Sequence, residues 1–279
     1  MTVLPALRRL AAAGALALLL AACAAGGPAP GALQFTQPVV LLGEVHDNAA
    51  QHRLRLQAFE ALLASGARPA LALEQFDRDH QADIDRARAQ TPRPDADALI
   101  AAAGGTAQSG WHWDHYRPFI ALALQYDLPI VAANVSRGEA RVVMQRGLAA
   151  SGFDAAVPEA VLAEQAGDIE ASHCGLLDNA TARRMALAQV ARDQTMARAI
   201  ESQAARGVVL LAGNGHVRTD IGAPRWLSAA TRQRSEAIGL LEEGDPAAPY
   251  DRIVRTTAQP RPDPCAAMRA GAAAKEGAR

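Results

Sequence analysis

Lysine is almost absent from this chain: Lys275 stands alone among 28 basic residues. Those are balanced by 29 acidic residues, for a formal net charge of −1. No overall field therefore draws nucleic acid or an acidic surface toward it. The arginine bias runs alongside heavy use of alanine and follows base composition, so single arginines are not taken as phosphate binders. Aromatic residues make up only 4% of the chain and cysteines number three. Neither a CxxC nor an HExxH pattern occurs, so neither a Cys-rich zinc or iron–sulfur site nor a zinc-protease helix is signalled. No Gly-rich loop of the kind that cradles a nucleotide is present. Beyond the first 22 residues no stretch is apolar enough to span a bilayer, which takes ~20 residues.

Those first residues have the layout of an export signal. Arg8 and Arg9 are followed by an apolar run from Leu10 to Leu20, too short for a spanning helix. Leu20-Ala21-Ala22-Cys23 resembles the lipobox at which a leader is cut and the cysteine acylated. The expectation is a signal peptide over 1–22 and a lipid-modified Cys23, whose acyl chains hold the protein to a membrane. Ala24, where an aspartate would retain the protein elsewhere, points to the outer membrane facing the periplasm. Residues 23–36 read as a small-residue tether, residues 37–258 as one α/β domain, and residues 259–279 as a Pro-rich tail. The remaining cysteines, Cys174 and Cys265, are an even pair in an oxidising compartment, so a structural disulfide is expected.

From Pro38 onward, short apolar runs alternate with longer helical stretches, the pattern of a mostly parallel sheet flanked by helices. Val39 to Leu42, Ala70 to Leu73, Pro129 to Ala133 and Val208 to Ala212 do not alternate with polar residues, as strands buried on both faces should not. Ala237 to Leu241 and Arg252 to Arg255 are weaker strands. Helices are expected over 47–64, 77–90, 115–126, 137–149, after Pro158, and over 179–206. Each strong strand delivers polar residues at its carboxyl end: Glu44, His46, Asp47 and Asn48; Glu74; Asn134; and Gly213-Asn214-Gly215-His216. Ligands of open α/β sheets bind beyond those ends. Carboxylates there are costly unless a cation or a protonated histidine pairs with them.

A second concentration is Trp111-His112-Trp113-Asp114-His115-Tyr116-Arg117-Pro118, preceded by a Gly-rich stretch from Gly104 to Gly110. Indoles beside histidine and tyrosine suit a flat apolar ligand such as a porphyrin, and a tyrosinate suits ferric haem. The same aromatics would equally pack a helix onto a sheet.

Taken in order, Gly43 to Asn48, Leu73-Glu74-Gln75-Phe76-Asp77, Trp113 to Pro118, Pro129 to Asn134, Ser172-His173-Cys174, Arg192 to Ala197 and Gly213 to His216 resemble the motifs of the ChaN family of haem-binding lipoproteins. The resemblance covers almost the whole exported chain. It implies an EreA/ChaN-like α/β fold and haem as ligand, with its iron held by a tyrosine. It also implies haems stacked face to face across a homodimer, and an outer-membrane haem receptor as a possible partner. Tyr116 lies in the best-matching motif and is the expected iron ligand, with Trp111, Trp113, His115, His46 and His216 around the haem. Gln51-His52 stands where the family often pairs two histidines. The wider superfamily includes erythromycin-esterase-like hydrolases and Tiki metalloproteases. Similarity to those implies an alternative, a hydrolase whose His46, Glu74 and His216 hold a divalent metal such as zinc or manganese, with Glu44 as general base.

Overall fold

Six parallel strands order themselves β3-β2-β4-β1-β5-β6 in a computed structural model that describes residues 33–106, 110–266 and 268–270. The leader, Cys23 and most of the tether lie outside the described residues, as do the last residues of the tail. The strands are β1 (Val39–Leu42), β2 (Ala70–Asp77), β3 (Ile130–Asn134), β4 (Val208–Leu211), β5 (Ser235–Glu242) and β6 (Arg252–Thr256). β1 lies between β4 and β5, with Val39 level with Val208 and Ser235. The chain thus leaves β1, crosses to β2 and β3, returns to fill the gap with β4, and only then builds outward through β5 and β6.

The strands read as unbroken apolar runs because both faces are covered. Side chains alternate across a strand, and the two sets enter different cores. Val40, Leu42, Leu71, Leu73, Val209 and Leu211 meet Phe59 and Leu63 of α1 (Ala49–Ala64), Ile84 of α2 (Gln81–Arg88), Leu99 of α3 (Ala96–Ala102), and Phe119 and Ile120 of α4 (Trp113–Gln125). Val39, Leu41, Ala70, Ala72, Val208 and Leu210 meet Met196 and Ile200 of α7 (Asn179–Gln203). A smaller cluster joins α7 to Ala140 and Val143 of α5 (Arg137–Arg146), and α6 (Glu159–Ser172) packs along α7 through Ala166 and Ile169. β6, at the sheet edge, alternates half-buried and exposed residues.

The helix expected over 77–90 is shorter than anticipated. β2 continues as a buried strand through Phe76, and a 3-10 turn at Arg78–His80 precedes α2. The register between β2 and β3 shifts between Leu73 and Asp77, at the point where Glu74 and Gln75 enter the cleft. α3 was not expected; the Asp95 carboxylate accepts from the Ala98 amide and starts it. Cys174, just after α6, and Cys265 in the tail are joined by a disulfide. Arg261, four residues before Cys265, donates to both Asp47 and Glu242.

Candidate functional site

β1 ends at Leu42, and Gly43 turns the chain into the cleft. The Gly43 amide donates to the Ile238 carbonyl at 2.8 Å, and the Asn214 amide to the Glu44 carbonyl at 3.0 Å. A Cβ on Gly43 would stand 2.3 Å from Asn214 Oδ1 and 2.8 Å from Val217 Cγ2, so only glycine fits between the two loops. Asn48 caps α1, its Oδ1 accepting from the Ala50 and Gln51 amides. Glu44, His46 and α1 are thereby fixed relative to one another.

Glu44 is buried and gathers three side chains. Its Oε1 accepts from His46 Nδ1 at 2.7 Å and from the Tyr116 hydroxyl, and its other oxygen pairs with the Arg55 guanidinium. Arg55 also donates to the Leu42 carbonyl. Burial lowers its pKa to about 10, leaving it charged at neutral pH. His52 completes this layer: its Nε2 donates to the His46 carbonyl at 2.9 Å, so Nδ1 faces Arg55 at 3.5 Å as acceptor. Burial pushes the His52 pKa down to about 4, in keeping with a neutral ring.

A second buried group lies across the cleft. His216, on α8 (Asn214–Val217), has Nδ1 2.6 Å from Asp193 Oδ1 and Nε2 3.5 Å from Glu74 Oε1. Asp193 is held by the Gln165 amide at 2.9 Å, and Glu74 accepts from the Gly213 amide at 2.7 Å. Burial works against charge on His216, but Glu74 and Asp193 outweigh it and raise its pKa above the ordinary value. Burial likewise opposes ionisation of Glu74, but His216, His46 and the Gly213 amide hold its pKa below the usual carboxylate value. Asn134 bridges backbone, donating to the Glu74 carbonyl and accepting from the Val135 amide, so it shapes the rim.

Two cavities open beside these groups. One of about 780 Å³ is lined by Glu74, Gln75, Trp111, Arg137 and Arg192 among others, the other, of about 620 Å³, by Glu44, Asp193, Leu241 and Tyr250 among others. They share His46, Gln189 and His216 as walls. Gln75 is buried with neither amide atom hydrogen-bonded, an unmet polar group at the edge of the larger space. A further cavity of about 690 Å³ lies around Arg218, whose charge is already met by Glu164, Asp168 and Asp220.

The expected haem residues divide on this geometry. His46, His216 and Trp111 face the cavities, and the Trp111 ring meets His46 edge-on at 4.9 Å. Trp113 stacks on Phe76 and donates to the Thr106 carbonyl, fastening α4 to the sheet. His115 stacks on His52 at 4.1 Å. Tyr116 departs from expectation: its side chain is fully buried, it lines neither cavity, and its hydroxyl is given to Glu44. Burial also pushes its pKa up, away from the tyrosinate that ferric iron would need. In this arrangement the Tyr116 oxygen is engaged by Glu44 and not open to either cavity. The divalent-metal set of His46, Glu74 and His216 is not assembled either. Among the described residues no three His, Cys, Asp or Glu side chains stand together as a metal site; His46 is turned to Glu44, His216 to Asp193, and Glu74 to Gly213.

Arg55 and Asp193 carry no assigned role in the sequence reading. The available signal was a charged residue on a helical stripe of buried neighbours: His52, Arg55, Phe59 in α1 and Val190, Asp193, Ala197 in α7.

The family model described as haem-binding uptake, Tiki superfamily, ChaN, matches residues 35–227. The chain belongs to the ChaN family. A solved structure of ChaN from Campylobacter jejuni, described as showing cofacial haem binding, is 21% identical, with a TM-score of 0.65 over 78% of this chain and 86% of that one. At that identity the likeness shows the fold, a six-stranded parallel sheet flanked by helices. An erythromycin esterase mutant in its open conformation is 13% identical over 74% of this chain and 70% of its own, with a TM-score of 0.45. No curated protein matches significantly.

Proposed function

We propose that this chain is a membrane-anchored haem-binding lipoprotein of the bacterial cell envelope that serves haem and iron uptake. The observation that carries the reading is the cleft beyond the strand ends in a chain of the ChaN family. Its volume lies in the range of pockets that take a cofactor-sized ligand, roughly 300–1,000 Å³. The donor chemistry suits haem. The imidazole of His46 is a fitting iron donor, the Trp111 indole offers an apolar flat surface, and Arg137 and Arg192 on the rim are suited to propionate carboxylates. When bound, haem would supply a redox-active iron centre. The protein orients the macrocycle, limits water and holds the proton on the His46 imidazole. No turnover reaction is part of this reading.

The lipobox-like segment at Cys23 supports anchoring, and Ala24 supports the outer membrane. A haem-bridged homodimer and transfer to or from an outer-membrane haem receptor complete the proposal. The test is a hemin titration followed by absorption, with sedimentation of the loaded and unloaded protein. A saturable Soret band near one haem per chain supports it. Binding no stronger than that of an unrelated lipoprotein overturns it.

A further inference from the structure

Beyond β6 the chain stays on the domain. The Thr257 carbonyl accepts from Asn48 Nδ2 at 3.2 Å. The Gln259 side chain accepts from the Ala49 amide, and the Gln259 amide donates to Glu242. Arg261 then pairs with Asp47 and Glu242, and Cys265 is bonded to Cys174. These anchors border the smaller cavity. Asp47 follows His46, Glu242 follows Leu241, and Cys174 stands two residues past Ser172; His46, Leu241 and Ser172 are all walls of that space. Tyr250 is another, its hydroxyl donating to the Asn214 carbonyl at 3.3 Å, and a tyrosine is the iron donor that the family resemblance implies. The tail thus ties together the loop after β1, the end of β5 and the end of α6.

Of these three, α6 is held least by apolar contact. It packs on α7 through Ala166 and Ile169 against Ala182 and Ala186, small side chains that bury little area. Its other ties are polar: Gln165 donates to Asp193, and Glu164 and Asp168 pair with Arg218. Gln165, Asp168, Ile169 and Ser172 line the smaller cavity, so a shift of α6 widens it and frees Asp193. The end of α6 is strained. Cys174 has φ 61, the left-handed conformation in which helix ends favour glycine and a Cβ is costly. What a cysteine adds at that position is the disulfide. Both cysteines are half-buried, with exposed Gly175, Leu176, Pro264 and Ala266 beside them, which puts the bond within reach of an attacking thiolate.

We propose that the tail is a redox-released strap on the smaller cavity. With the Cys174–Cys265 bond intact it holds α6 against the ends of β1 and β5 and keeps the bound molecule in. Once the bond is reduced, α6 moves outward and the molecule leaves. The reductant is a protein dithiol. Its first thiolate attacks one sulfur of the bond, forming a mixed disulfide and expelling the other cysteine as thiolate; its second thiol then displaces the remaining cysteine. The reductant ends as a disulfide, and Cys174 and Cys265, having gained its two electrons and two protons, end as thiols. Arg261 remains as a weaker catch, because a solvent-screened ion pair holds a freed tail less firmly than a covalent bond. The identity of the bound molecule rests on the haem reading above.

The test uses the full exported chain in detergent, with ferric hemin as probe. Thiols ligate and reduce haem iron, so in the hemin assay the bond is removed by mutation. Cys174→Ser with Cys265→Ser should pass hemin to apomyoglobin about tenfold faster than wild type, as expected when part of the constraint of the disulfide acts on the exit step. Arg261→Ala, with the disulfide kept, should speed release less. Circular dichroism separates faster release from unfolding. A second measurement needs no hemin: in the empty wild-type chain, dithiothreitol should speed hydrogen exchange in Glu159–Ser172 while the amides of β1 and β4 stay protected. Release from the folded double variant within about twofold of wild type overturns the strap and leaves the haem function intact. A wild-type chain that takes up no hemin overturns the haem reading, and exchange in α6 unchanged by reduction then overturns the strap as well.

Discussion

Arg55 and Glu44 form an ion pair in which neither side chain reaches solvent. Removing one partner leaves the other charge buried and unpaired, which costs about 3–5 kcal/mol. Arg55→Met should therefore unfold at markedly lower urea than wild type. Adding Glu44→Gln should recover part of the loss, because the stranded charge is gone. Equal midpoints for Arg55→Met and wild type would show that water reaches Glu44.

Gly43 and Gly215 both sit in Gly-containing strand-end segments, but their surroundings differ. A methyl on Gly43 would strike Asn214 Oδ1, and Asn214 holds both the amide and the carbonyl of Leu240. Moving Asn214 breaks those bonds, so Gly43→Ala should cost about 1–3 kcal/mol, the usual range for overpacking. Gly215 has nothing within 4 Å and lies inside α8, where alanine is the better helix former. Gly215→Ala should melt at or slightly above the wild-type temperature. Thermal melts of the two variants side by side check both statements.

Those glycines show what a sequence yields and what it withholds. The sheet was legible because Val39 to Leu42 and Val208 to Leu211 carry no polar residue, and only strands covered on both faces can do that. The convergence of Glu44, His46, Glu74 and His216 on one cleft followed from parallel strands sharing a carboxyl end. The partners of those residues did not follow. Arg55 reaches Glu44 from the second turn of α1, and Asp193 reaches His216 from the middle of α7. Each contact depends on how a helix is rotated and set over the sheet, which local spacing does not state. The burial of Tyr116 was hidden for a related reason. Its motif is apt for a ligand, but helical phase turns the ring inward beside Phe119 and Ile120.

His216 makes stability depend on pH in a stated direction. Its folded pKa is raised above the ordinary 6.5 by Glu74 and Asp193, against the pull of burial. A raised histidine contributes stability that is complete below about pH 6.5 and is lost as pH rises through the folded value. Wild type should therefore exceed His216→Gln by about 1–3 kcal/mol at pH 6. The gap should narrow as the pH is taken toward 9. Urea midpoints of both proteins across that range measure it; a gap that widens with pH would contradict a protonated His216 in the folded state.

Arg261 governs the opposite end of the pH scale. Its hydrogen bonds hold Glu242 down to about 2 from an ordinary 4.5, and lower Asp47 as well. A depressed carboxylate contributes stability that is present above its unfolded pKa and lost as pH falls through the folded one. Arg261 is one-third exposed and Asp47 more so, so solvent screening reduces the gain. Arg261→Ala should then cost about 1–3 kcal/mol at pH 7, the scale of hydrogen bonds to charged groups. Between pH 4.5 and 2 the two proteins should converge, because wild type loses the same interactions by protonation. The segment that carries Arg261 runs on to the Cys265 disulfide, which keeps the guanidinium close even while its bonds open. With the disulfide reduced, the Arg261→Ala penalty at pH 7 should shrink, since the tail then leaves more readily in both proteins. A penalty unaffected by reduction would show that Arg261 holds the tail without help from the disulfide.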